Sequence, residues 1–256
     1  MKRIAMFFIL ACVLCAVAFA QQSYYVSAKG DANNDGLTES KPLRSLYLAF
    51  GKAATSSIKR ITVIGTLNEE SDILTPAWKE FCGSVFLLDD DDTQEITITG
   101  KPGANNANRA ILSAKGSSAG VLVIDANVRI RFEHIEISGG ESEEGTGFGL
   151  IIDGGASVTL GTGAIIRNNR EGGIAIHEEG TCIIDGGEIR DNQGTGVVIH
   201  EKSVLTMRNG TIRDNRGSSN GGGVFVAKDG RFTMTGGTIT ANSAVRAGGG
   251  VCSRQI

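Results

Sequence analysis

From residue 149 onward the chain repeats itself, and that repeat restricts its fold more than any other feature. Short apolar runs open on Gly149, Gly173, Gly196, Gly223 and Gly250, spaced 24, 23, 27 and 27 residues apart. A period of this size is the mark of a solenoid, because one unit cannot bury its own apolar faces and needs neighbours to cover them. Every unit follows one plan. The opening strand leads to a polar turn: Asp153-Gly154-Gly155, His177-Glu178-Glu179, His200-Glu201-Lys202 or Ala227-Lys228-Asp229-Gly230. A second strand follows at 157–160, 181–184, 203–207 and 231–234, then a glycine turn, then a third strand at 164–167, 188–190, 211–213 and 238–240. Three strands and three turns make a triangular coil.

The columns across units support this plan. Ile166, Ile189, Ile212 and Ile239 hold one position, and Leu160, Ile184, Met207 and Met234 hold another. Strand alternation sends every second side chain inward, so these residues stack along the axis. Asn169, Asn192, Asn215 and Asn242 follow the Ile column by three residues each time. A turn asparagine can hydrogen-bond to its counterparts in the coils on either side, which satisfies buried backbone and side-chain groups together. The Ile and Asn columns are therefore expected to be structural.

Upstream the repeat loosens. Segments 121–124, 128–132 and 135–137 read as a longer coil with an insertion at 140–147; 95–99 with 110–112, and 61–64 with 85–88, read as earlier ones. Residues 71–81 fit a loop or a short helix. At 41–55 the pattern changes: Leu43, Leu46, Tyr47 and Phe50 share one helical face. An open solenoid end exposes unpaired backbone and core, so this segment is expected to form an N-terminal helical cap. The chain is thus expected to be all-β: a single-stranded right-handed parallel β-helix over 61–256, preceded by an N-terminal segment and cap helix over 21–60. It stops at Ile256, seven residues into another coil, which reads as a solenoid truncated mid-coil.

Composition agrees. Gly numbers 36 and Pro 3, and aromatics make up 5%, which suits many short strands and tight turns better than one large enzyme core. No Gly-X-Y triplet runs through the chain, which excludes collagen, and 41% apolar content at regular positions argues against disorder. Residues 1–20 read as a secretory signal peptide, with Lys2 and Arg3, an apolar core from Ile4 to Leu14, and Ala18-Phe19-Ala20 before the cleavage point. A lipoprotein signal at Cys12 is the competing reading. The remainder contains no transmembrane helix. Removing Lys2 and Arg3 takes the net charge from −3 to −5, which argues against a nucleic-acid partner. The three cysteines left, Cys82, Cys182 and Cys252, match no zinc spacing.

Tyr25-Val26-Ser27-Ala28-Lys29-Gly30-Asp31, with Asp35-Gly36-Leu37-Thr38 and Lys41-Pro42-Leu43, resembles the N-terminal segment of secreted bacterial parallel β-helix proteins of the pectate-lyase-like superfamily. The coils Ile212-Arg213-Asp214-Asn215 through Gly221-Gly222-Gly223-Val224, and Ile239-Thr240-Ala241-Asn242 through Gly248-Gly249-Gly250-Val251, are similar to the repeats of polymorphic outer-membrane proteins and related adhesins. Those families carry F-x-x-N where this chain has I-x-x-N. The resemblance implies a bacterial protein that is secreted or held in the cell envelope. It implies little about activity, because the fold hosts lyases, hydrolases, adhesins and structural proteins.

Four groups of residues are candidates for chemistry. Asp153, His177 and His200 share a turn column with Glu178 and Glu201 beside them, an arrangement suited to acid–base catalysis or a metal. Arg167, Arg190 and Arg213 share an outward column that would grip a uronate or sulfated chain. Asp31, Asn33 and Asp35 in Asp31-Ala32-Asn33-Asn34-Asp35-Gly36 begin like a calcium loop, but Pro42 stands where the bidentate acid belongs. Calcium is the one cofactor the sequence raises. Asp89–Asp92 forms an acidic run of the kind usually found in solvated loops. Neither a lyase calcium-and-base set nor a Gly-His-Gly motif with paired aspartates is present. Trp78 and the tyrosines, the usual sugar-stacking groups, lie in the first third of the chain. The leading expectation is a non-catalytic, adhesin-like surface protein that binds a polysaccharide or a host surface component. The alternative is a carbohydrate-active enzyme, a lyase or hydrolase, acting on an acidic polysaccharide. A purely structural envelope component or degenerate gene product is the third. Oligomeric state is not encoded in any feature of the sequence.

Overall fold

The computed structural model describes residues 22–68, 84–86, 94–101, 109–115, 120–125, 127–141 and 146–254. The segment 1–20 read as a signal peptide, with Cys12, and the 71–81 segment with Trp78, Cys82 and the acidic run at 89–92 lie outside them.

The strands stack into a parallel β-helix of the right-handed type with three faces. The first face gathers Tyr24–Ser27, Arg60–Ile64, Ile96–Gly100, Arg129–Glu133 and Ser157–Leu160. The leading halves of Thr181–Arg190 and Val204–Arg213 continue it, and Arg231–Met234 follows. The second face holds Thr66–Asn68, Ala110–Ser113, Ile135–Ser138 and Ile165–Arg167, then the trailing halves of the two long strands, then Thr238–Thr240. The third runs from Ser84–Phe86 through Leu122–Ile124, Phe148–Ile152, Gly172–Ile176, Thr195–Ile199 and Val224–Val226 to Val251–Ser253. Two coils differ from the expected plan. The second and third strands of the plan, on the first and second faces, fuse there into ten-residue strands that bend at Asp185-Gly186-Gly187 and at the matching Gly210, where φ is +107° at Gly186 and +98° at Gly210.

Register makes the sequence columns physical. Ile137, Ile166, Ile189, Ile212 and Ile239 are paired in succession, as are Phe132, Leu160, Ile184, Met207 and Met234. On the third face Leu150, Ile174, Val197 and Val224 do the same. Most of these side chains are fully buried, each contributing about 2 kcal/mol of transfer free energy. Cys182 sits in such a column between Val158 and Leu205, and burial pushes its thiol up to about 12, so it behaves as a small hydrophobe.

The N-terminal cap is shorter than the 41–55 segment expected. Helix α1 spans Leu46–Thr55, with Ser45 as N-cap accepting from Leu48 N. Leu43 is fully buried, but it bridges Val26 in extended backbone, and Tyr47 faces outward at 42% exposure. Pro42 and the capping serine stop the helix from starting earlier. The strand Tyr24–Ser27 pairs with Arg60–Ile64, so the sheet starts upstream of residue 61.

Candidate functional site

The asparagine column is a buried ladder. Asn169 Nδ2 donates to Asn192 Oδ1 at 3.0 Å, Asn192 Nδ2 to Asn215 Oδ1 at 2.8 Å, and Asn215 Nδ2 to Asn242 Oδ1 at 2.9 Å. Each Oδ1 also accepts the backbone N–H of the preceding asparagine, at 3.1, 3.2 and 3.0 Å. The remaining carboxamide protons go to Ile166 O, Ile189 O and Ile212 O. These side chains join each coil to the next.

The Asp153, His177 and His200 column also forms. Their backbone N–H groups donate to Ile124 O, Ile152 O and Ile176 O, which places one of them on each successive coil at the corner between third and first faces. The two imidazoles stack face to face, with centroids 3.9 Å apart and planes 18° apart. Burial holds both below the ordinary histidine range; His177 further depresses His200, while Asp153 opposes both shifts. Parallel rings point their lone pairs side by side rather than at one centre, which does not suit a metal. No group of three or more His, Cys, Asp or Glu side chains is arranged for one among the described residues.

Arg167, Arg190 and Arg213 are in register on the second face. Each meets carboxylates of the same face or the adjoining turn. Arg190 Nε donates to Glu188 Oε2 at 3.1 Å and Arg213 Nε to Glu188 Oε1 at 2.7 Å. Arg190 Nη1 pairs with Asp191, and Arg213 Nη1 with Asp214 at 2.5 Å. Asp214 first and Glu188 second hold Arg213 above its ordinary pKa. Arg167 Nε lies 3.0 Å from the buried Glu136 Oε1, yet that N–H makes no hydrogen bond: the contact is an ion pair with poor alignment. The ladder is thus an internally neutralised strip, not an open row of cations.

The 31–36 loop is a turn built from its own side chains. Asp31 Oδ1 accepts from Asn33 N at 2.8 Å and Asn33 Nδ2 at 3.1 Å, and Asp35 Oδ1 accepts from Leu37 N at 2.9 Å. These bonds turn the carboxylates toward the loop backbone.

A groove of about 370 Å³ opens at the corner after the second face, lined by Asp191, Gln193, Asp214, Arg216 and Ser243 among others. They flank the ladder asparagine, Asp191 and Asp214 before it and Gln193, Arg216 and Ser243 after it, and polar residues at an exposed corner do not by themselves mark a groove. The available signal was the lengthening of the period from 23 to 27 residues.

The family model described as a right-handed β-helix region matches residues 92–254, more than half of the 256-residue chain. No curated protein and no solved structure matches the sequence. The three-faced parallel coil and the family match agree over the same span, and the chain belongs to the right-handed β-helix region family.

Proposed function

We propose that this chain is a non-catalytic β-helix of the adhesin kind, exported to the surface or envelope of a bacterium, where it binds a glycan. The observation that carries this is the periodic outer surface. Ser138, Arg167, Arg190 and Arg213 repeat in one register, one residue per coil at a spacing of about 4.8 Å. A polymer of repeating hydroxylated units meets a protein of repeating polar groups. The leader-like composition of residues 1–20 supports export.

The enzyme alternative has one observation in its favour. His177 and His200 meet at one corner with depressed pKa values, so both are neutral bases near pH 7. Against it, the arginines that would grip an acidic substrate are each paired with a carboxylate. Purified protein incubated with neutral and uronate polysaccharides separates the two readings. Retention of a glycan without release of reducing or unsaturated ends is the expected result. Chain cleavage that is lost in His177→Ala would replace it with the enzyme reading. Calcium at Asp31, Asn33 and Asp35 remains an accessory proposal, tested by a thermal melt with and without millimolar calcium; an unchanged midpoint removes it.

A further inference from the structure

We infer that the groove beside the asparagine ladder is the glycan site, and that its ligand is a neutral polyhydroxylated chain rather than a uronate or sulfated one. This rests on the glycan-binding reading above. The groove arises where coil length changes. From Asn192 to Gly196 the corner takes four residues, but from Asn215 to Gly223 and from Asn242 to Gly250 it takes eight. The two longer loops stack on each other: Arg216-Gly217 pairs with Ser243-Ala244, Arg246 N donates to Ser219 O at 2.9 Å, and Gly221 N to Ala247 O at 2.9 Å. Their first residues, Arg216 and Ser243, line the groove, and the backbone bonds between the loops fix that side of it, so it needs no rearrangement to receive a ligand.

Its size falls in the range of ligand sites. Its side chains are the planar and hydroxyl groups that match sugar hydroxyls. Asp191 and Asp214 stand one coil apart, each held through Oδ2 by the arginine before it, which fixes the carboxylate and leaves Oδ1 to accept. Gln193 and Ser243 are exposed on the same groove and both donate and accept. Arg216 adds a fork of donors.

Charge decides the ligand class. Arg190, Arg213 and Arg216 are matched in number by Glu188, Asp191 and Asp214, so the site is locally neutral. A polyanion would meet two carboxylates in the lining. A cation would compete with guanidiniums already bound to them. A neutral polyol meets neither penalty. The lining contains no aromatic ring, so affinity rests on solvent-exposed hydrogen bonds, with a Kd on the order of 1 mM per site. Such a site holds a polymer by repetition more than by any single sugar.

Affinity electrophoresis of the full chain in gels containing dextran, hydroxyethylcellulose, mixed-linkage β-glucan or polygalacturonate tests this. The comparison is with Gln193→Ala/Arg216→Ala, two exposed positions whose loss leaves the core intact, and with Asp214→Asn, which keeps a residue tolerated at its φ of +57°. Equal melting midpoints establish that the variants fold. The expected result is retardation of the wild type by at least one neutral glucan, insensitive to added salt. The double variant should then bind about tenfold more weakly, as two lost hydrogen bonds imply. Unchanged retardation of the double variant would overturn the groove as the site while leaving glycan binding in place. Retardation by polygalacturonate alone would overturn the neutral ligand class. Absence of retardation by all four polymers would overturn both this inference and the reading beneath it.

Discussion

Two corners of the same coil obey one geometry and opposite sequence rules. After the second face, the corner position is asparagine on each of the four regular coils: Asn169, Asn192, Asn215 and Asn242. After the third face the equivalent position reads Asp153, His177, His200, Ala227 and Arg254, each joined to the coil before it by one backbone hydrogen bond. The difference lies in who satisfies the backbone. At the variable corner the turn closes on itself: Ala156 N donates to Asp153 O, Gly180 N to His177 O, and Gly230 N to Ala227 O. At the invariant corner, Asn192 N–H and Ile189 O both depend on the side chain of Asn215. Where the backbone is buried and unclosed, residue type is fixed; where it closes itself, the side chain is free to vary.

The most severe way to break this comparison is Asn215→Ala. It removes the side-chain partner of Asn192 N and of Ile189 O, and one of the two bonds at each of Asn192 Nδ2 and Asn242 Oδ1, which keep Ile166 O and Asn215 N respectively. A loss of about 3 kcal/mol or more in urea denaturation is expected, against under about 1 kcal/mol for His200→Ala. Equal losses at the two positions would show that the ladder is ornamental. Gly196→Ala probes the same corner from the other side. Its Cβ would stand 2.6 Å from Gly223 O, 2.8 Å from Ile212 Cγ2 and 2.9 Å from Asn215 Nδ2, so about 2 kcal/mol should be lost. At the variable corner the expected sign reverses. Glu178 and Glu179 hold φ of +41° and +67°, where the preceding coil has Gly154 and Gly155. Glu179→Gly should raise stability by about 0.5 kcal/mol, the left-handed penalty less the entropy glycine adds to the unfolded chain.

The same contrast explains what the sequence could reveal. The ladder and the core columns were legible because one residue type recurs at one spacing, and recurrence needs no knowledge of neighbours. The strand faces followed from the same columns. Leu43 misled because it satisfies helical spacing with Leu46 and Phe50, while Ser45 caps the helix only after it. The groove was illegible because its residues, Asp191 and Asp214 before the ladder asparagine and Gln193, Arg216 and Ser243 after it, are the polar types that any exposed corner carries. Only the longer period after Asn215 and Asn242 marks the two stacked loops. The neutralisation of Arg167, Arg190 and Arg213 was only partly visible. Glu188 is close in sequence, but Glu136 reaches Arg167 through the register of adjacent coils.

Titration separates the corners without substitution at the ladder. Carboxamides do not ionise in the accessible range, so the asparagine contribution should not vary with pH. His177 and His200 are held below the ordinary value of 6.5, chiefly by burial. The unfolded chain therefore binds more protons than the folded one between the folded and unfolded pKa values. Their favourable contribution is complete above pH 6.5 and declines as pH falls through it, levelling off once the folded pKa is passed. Protonating one ring also places charge against the face of its stacked neighbour. The effect should be smaller than any ladder substitution, because both rings are only half buried. Denaturation midpoints at pH 8 and pH 5 should differ less in His177→Asn/His200→Asn than in the wild type. A wild type whose pH dependence survives that double substitution unchanged would place the titrating groups elsewhere and leave the stacked pair without an energetic role.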